Sequence, residues 1–157
     1  MNKQDYLNLL KNPYIKAGLD TIAKCEGVQY GYYTLYGNSK IDSLAAHPNI
    51  KVTKWGITST AAGRYQFLTR TWNDIATKLG LTDFSEQNQD VAALYLMNQQ
   101  GALDALAKGD VLSAFYRIRK IWASLPGAGY GQKERTKSDV QKWFTEAYNA
   151  LKKKSQA

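Results

Sequence analysis

Helical periodicity runs through most of the chain and fails for longest at VQYGYYTLYGNSKIDSLAAHPNIKVTKWGITST, residues 28–60. This stretch is rich in Tyr, Thr, Ile and Val. It is punctuated by Gly37-Asn38-Ser39 and by His47-Pro48-Asn49. Such residues suit a small hairpin or an irregular β-excursion, not a helix. A β-lobe of about 28–58 set into a helical chain excludes a plain bundle and a parallel α/β sheet. It predicts an α+β molecule of two unequal lobes with a cleft between them.

The flanking helices follow from their spacing and punctuation. Residues 3–12 and 14–26 read as two helices broken by Pro13. Ser59 or Thr60 can cap a helix with a stripe of Ala61, Tyr65, Leu68, Trp72, Ile75 and Leu79, ended by Gly80. Ser85 opens another helix, through Val91, Leu94 and Tyr95 to Gly101. Helices at 102–108 and 110–123 follow, the second capped by Asp110, and an amphipathic helix closes the chain from about 136 to 152. No repeat or linker divides the sequence, so residues 1–157 are expected to form one domain, with a helical lobe of 59–151 joined by the N-terminal helices.

The formal net charge of +8 favours a polyanionic partner. No apolar run approaches the ~20 residues of a membrane span, and MNKQDYLNLLKNP is too polar for a signal peptide. The expectation is a chain made in the cytoplasm, without stable membrane insertion, that something else must release. Cys25 is the sole cysteine, so no internal disulfide forms, and neither a metal nor a cofactor is called for.

Within this frame one residue stands out. Ile15, Leu19 and Ile22 lead at intervals of four, three and four to Glu26, with Gly27 directly behind it. A carboxylate at the end of a buried stripe is desolvated, and it also meets the negative end of the helix dipole. Both effects favour its protonated form. A carboxylic acid neutral near pH 7 can protonate a leaving oxygen. The alternative is a helix-end glutamate facing water.

Two further segments bear on the choice. STAAGRYQFL, residues 59–68, places the small Ala62 and Gly63 early in the expected helix and Gln66 one turn later. The neutral amide of Gln66 suits a sugar hydroxyl or acetamido group. SLPGAGYGQ, residues 124–132, is a glycine-rich loop that presents Tyr130 on a flexible, tightly turned backbone. Ser59 is either a hydroxyl toward the ligand or simply a cap.

CEG at 25–27, STAAGRYQFL at 59–68 and IWASLPGAGYGQ at 121–132 resemble, in this order and at these separations, the lambda-type phage endolysins. These are lysozyme-like lytic transglycosylases of glycoside hydrolase family 104, and the resemblance covers about residues 16–150. It implies a bacteriophage enzyme that cuts peptidoglycan glycan strands at the MurNAc-β-1,4-GlcNAc bond. Glu26 would be the catalytic residue; Gln66, Tyr130 and Ser59 would bind substrate. Asp42 is the only acidic residue in the lobe expected to roof the cleft, and most of the others lie at caps or on polar faces. A two-carboxylate glycosidase is therefore short of a partner. The resemblance supplies an answer: Glu26 protonates the glycosidic oxygen, then takes the proton of the muramic acid C6 hydroxyl as it closes onto C1. The product is a 1,6-anhydro end. The resemblance also implies a monomer that waits in the host cytoplasm until a holin admits it to the wall in the periplasm.

Three rivals are open at this stage. A lysozyme would pair Glu26 with Asp42. A peptidase would pair Cys25 with His47, although Cys25 lies inside a helix and not at a helix N-terminus. A nucleic-acid module would use RIRKIW at 117–122, yet Lys and Arg are scattered and no nucleic-acid-binding motif appears, so no nucleic-acid partner is expected.

Overall fold

The computed structural model describes residues 1–156. Its elements in chain order are α1 (Lys3–Leu9), α2 (Pro13–Glu26), a 3-10 turn (Gly31–Tyr33), β1 (Thr34–Leu35), β2 (Ser39–Lys40), β3 (Val52–Lys54), β4 (Ile57–Ser59), α3 (Thr69–Leu79), α4 (Glu86–Gln99), α5 (Leu103–Ala107), α6 (Val111–Arg117) and α7 (Lys137–Gln156). It is an α+β molecule: a helical body carrying two small antiparallel hairpins, β1–β2 and β3–β4.

α2 is the central helix. Asn12 caps it by accepting from the Tyr14 N–H, and Pro13 is its first residue. Pro13 thus starts the helix rather than separating two, because N1 lacks an intrahelical N–H partner in any case. Ile15, Leu19 and Ile22 are buried as their spacing predicts. One contiguous core joins them to Tyr65, Phe67, Trp72, Phe84, Leu94, Met97, Leu106, Trp122 and Phe144. Gly18 lets α5 approach: a Cβ there would meet the Leu106 side chain at 2.6 Å.

The segment expected to open a helix at Ser59 or Thr60 does not. Ser59 ends β4, and residues 60–68 are non-helical. The N–H of Ala62 donates to Phe67 O and that of Phe67 donates to Ala62 O, a closed pair that no α-helix contains. Gly63 and Gln66 have φ of +88° and +53°. A Cβ at Gly63 would lie 2.4 Å from the Gln89 Oε1, so only glycine fits. The helix starts ten residues later, at Thr69, whose N–H donates to the Thr60 hydroxyl. Thr60 is therefore a remote cap. Leu68, which the stripe expectation buries, is 49% exposed.

The other differences are smaller. The expected helix of 110–123 is helical only as α6, with turns to 123, and α1 stops at Leu9. α7 runs four residues past 152.

Candidate active site

Glu26 is the last residue of α2, and Gly27 caps the helix in the left-handed conformation, φ +66°. The residue keeps an opening to solvent while its carboxyl is packed among protein atoms. The Ser124 hydroxyl donates to Oε2 at 3.1 Å. Burial pushes the carboxyl up to about 7, against the opposing pull of the Ser124 hydrogen bond and the nearby Arg135 charge. Among the described residues, no carboxylate is among the groups that act on it. Of the two alternatives read from the stripe, the structure lies nearer the desolvated acid: Glu26 is half-buried, and its carboxyl is packed among protein atoms.

Ser124 and Arg135 escaped the sequence reading. The Arg135 Nε donates to Cys25 O at 3.1 Å, so its charge is held beside Glu26 without bonding the carboxylate. Its guanidinium packs 5.5 Å from the Trp143 ring centroid. Ser124 opens the SLPGAGYGQ motif, and that position was the available signal. The sequence separation of 98 from Glu26 hid the contact.

The loop is tied by its own hydrogen bonds. Arg135 N–H donates to Ser124 O at 2.7 Å and closes it at the base. The Glu134 carboxylate accepts from Gly127 N at 2.8 Å and Gly129 N at 2.9 Å, bonds that hold it below the usual carboxylate range. Tyr130 donates to Lys120 O at 2.6 Å, yet 54% of its surface is exposed. The Gln66 amide nitrogen donates to Thr34 O at 3.2 Å and Gly63 O at 2.9 Å. The Ser59 hydroxyl accepts from Ala61 N at 3.1 Å. None of Gln66, Tyr130 and Ser59 is hydrogen-bonded to Glu26 or to each other.

Among the described residues, no second carboxylate is brought to Glu26. Asp42 is exposed and lines a hollow of about 320 Å³ on the β-lobe with Leu35, Lys40, Pro48 and Ile50. Asp20 faces away and pairs with Arg64 at 2.6 Å. Cys25 is buried, and its thiol is pushed up to about 12 by that burial and then by Glu26, the opposite of an activated nucleophile. His47 is buried against Phe84. Its Nε2 donates to Phe67 O at 2.8 Å, and Nδ1 accepts from Asn49 N at 3.1 Å. Its partners make it a neutral structural imidazole, and burial holds its pKa below the ordinary value. A larger hollow, about 690 Å³, between α6 and the start of α7 shares no residue with the Glu26 site.

A helical body, two short hairpins beside it and a water-starved acid where the first long helix hands over to them define the lysozyme-like class of glycan-cleaving enzymes. Comparison with known proteins agrees. The bacteriophage lambda lysozyme complexed with a chitohexasaccharide superposes with a TM-score of 0.84 at 40% identity, over 87% of this chain and 94% of that one. The lysozyme from bacteriophage lambda gives 0.79 at 39% identity over the same shares. The Endolysin family model matches residues 16–151, so the chain belongs to the endolysin family. Among its relatives, the endolysin of Escherichia phage lambda is 40% identical over 141 residues, covering 84% of this chain and 89% of that protein. The endolysin of Escherichia phage P2 is 49% identical over 81 residues, 52% of this chain and 49% of that one.

Proposed function

We propose that the chain is a single-domain peptidoglycan lytic transglycosylase in which Glu26 is the only catalytic carboxyl. The observation that carries this reading is the state of Glu26: half-buried with its carboxyl packed among protein atoms, given one neutral donor, pushed up to about 7 and acted on by no second carboxylate among the described residues. Near neutral pH such a group exists in comparable amounts as acid and base. The reaction requires both forms in turn.

In the first half, Glu26 donates its proton to the oxygen between MurNAc and GlcNAc, and the GlcNAc hydroxyl leaves. In the second half, the carboxylate takes the proton of the muramic C6 hydroxyl as that oxygen bonds C1. The ring closes to a 1,6-anhydro end, Glu26 is protonated again, and no water is consumed. The nucleophile is intramolecular, and a well-oriented one is worth on the order of 7 kcal/mol of barrier. This removes the need for the partner carboxylate that hydrolases use.

The Gln66 amide nitrogen is held by backbone carbonyls, which leaves its Oε1 as an acceptor for a sugar hydroxyl or acetamido N–H. Tyr130 offers an exposed ring on a tied loop. Ser59 contributes either a hydroxyl or only the turn it already caps. The net charge of +8 draws the enzyme to the carboxylate-bearing wall. The glycan ligand of the lambda lysozyme supports a saccharide substrate here. Action as a monomer, after holin-dependent passage from cytoplasm to periplasm, completes the proposal.

Mass analysis of digested, purified peptidoglycan tests it. Fragments lighter by one water than reducing-end fragments are expected. Reducing ends alone would overturn the transglycosylase step and leave a hydrolase.

A further inference from the structure

At the tip of the β3–β4 hairpin the residue type and the backbone disagree. Lys54 pairs with Ile57, so Trp55 and Gly56 form a two-residue turn, with φ of +53° and +74°. Hairpins favour this turn, and its first position favours Asn, Asp or Gly. Elsewhere in the chain Asn38 and Asn49 occupy the left-handed region. A bulky side chain pays a steric penalty there. Trp55 also leaves 70% of its surface in water, whereas Trp72 and Trp122 are each 4% exposed. A strained conformation that displays an apolar ring points to something outside the chain.

The surroundings fix the indole without covering it. Tyr36 meets it edge-on at 5.9 Å between centroids, and the Tyr36 hydroxyl donates to Lys54 O at 3.1 Å. Lys54 Nζ donates to Gly37 O at 2.9 Å and lies 5.3 Å from the indole centroid. The tip is thereby pinned to the turn between β1 and β2. A flat apolar ring, held before any ligand arrives, loses little freedom on stacking.

The geometry points to Trp55 as a stacking platform for a sugar ring of the glycan strand, a contact separate from Glu26, Gln66 and Tyr130. This rests on the glycan-cutting reading above. A pyranose presents a face of C–H groups that suits an indole. Its hydroxyls and the muramic carboxylate project past the ring edge, where Lys54 offers charge. A lipid surface also attracts Trp beside Lys. Here, though, Lys54 and Gly56 flank the ring directly, and Ile57, 40% exposed, is the apolar neighbour at the turn. That is a small area for membrane binding, which scales with the apolar area inserted.

The experiment compares the full chain with Trp55→Asn and Trp55→Tyr. Chitohexaose is titrated while tryptophan emission is followed, rates are measured on purified peptidoglycan, and Tm is recorded. The parent should show a blue shift that Trp55→Asn lacks. Trp55→Asn should raise KM about three- to tenfold with kcat within about twofold, and Tm should hold or rise because Asn suits the turn. Trp55→Tyr should keep KM within about threefold of the parent. Parental KM and emission change in Trp55→Asn would overturn the platform alone. So would a Trp55→Tyr as weak as Trp55→Asn, since hairpin shape and not the ring would then be responsible. A blue shift with phosphatidylglycerol vesicles but none with chitohexaose would overturn it in favour of a membrane. A parent that neither binds nor cuts glycan sinks the platform and the glycan reading together.

Discussion

Glu26 and Asp90 are both carboxyls withdrawn from water, and the protein treats them in opposite ways. Asp90, on α4, accepts hydrogen bonds from the Tyr65 hydroxyl and from Tyr32 at 2.9 Å, and the Arg64 charge is close by. Burial still holds its pKa above the ordinary value, but three partners oppose it. The network extends through Arg64 to Asp20 and ties the β-lobe, the 62–67 turn, α2 and α4 together. Glu26 has one serine hydroxyl and an arginine whose Nε is bonded elsewhere. A buried carboxyl that is provided for supports the fold. One left short of donors suits the reactive role proposed for Glu26, because its charged form stays costly.

The largest expected effect separates the two directly. Glu26→Gln should abolish lysis, by about a thousandfold or more, with the fold retained. It should also stabilise the protein in alkali. Glu26 binds its proton more tightly folded, at about 7, than unfolded, near 4.5. Between these pH values the folded state holds more protons, so parental stability falls as pH rises, on the order of 2 kcal/mol by pH 8. Melting curves at pH 5 and pH 8 should show the variant gaining only at the higher pH. Residual lysis, or equal gain at both, would break the contrast.

Asp90→Ala should do the reverse. Tyr65 and Tyr32 lose their acceptor, at a cost of about 3 kcal/mol, read as a fall in Tm of about 6–12 °C. Turnover per folded molecule at low temperature should stay within about twofold. Lost turnover in folded protein would make Asp90 part of the chemistry.

Ser124→Ala sharpens the comparison at the Glu26 end. The serine bond lowers the Glu26 pKa, so its removal should raise it and move the alkaline limb of the pH–rate profile upward, by what one neutral hydrogen bond supplies, about 1 kcal/mol. A downward shift would contradict the geometry. Tyr130→Ala should lower turnover about tenfold. Ser59→Ala, the smallest effect, should change it less than about threefold if the hydroxyl only caps its turn; a larger loss would place it on the substrate.

Legibility along the chain tracks the range of the deciding interaction. The face of α2 and its ending at Gly27 could be read because helix period and capping act within a few residues. The segment 59–68 could not. Its apolar spacing is compatible with a helix, but Gly63 and Gln66 are locked at positive φ by neighbours such as Gln89, whose Oε1 accepts from the Arg64 N–H at 2.9 Å. The aromatic loop was read as a loop, while the bonds from Glu134 that stiffen it were not.

The sequence by itself determined a helical chain with one β-excursion and a carboxyl at the end of a buried stripe, since periodicity and helix punctuation are local. Only the tertiary structure decided what that carboxyl meets. Ser124 and Arg135 come to it from the far side of the chain, and desolvation is a property of everything packed around a group rather than of its neighbours in sequence.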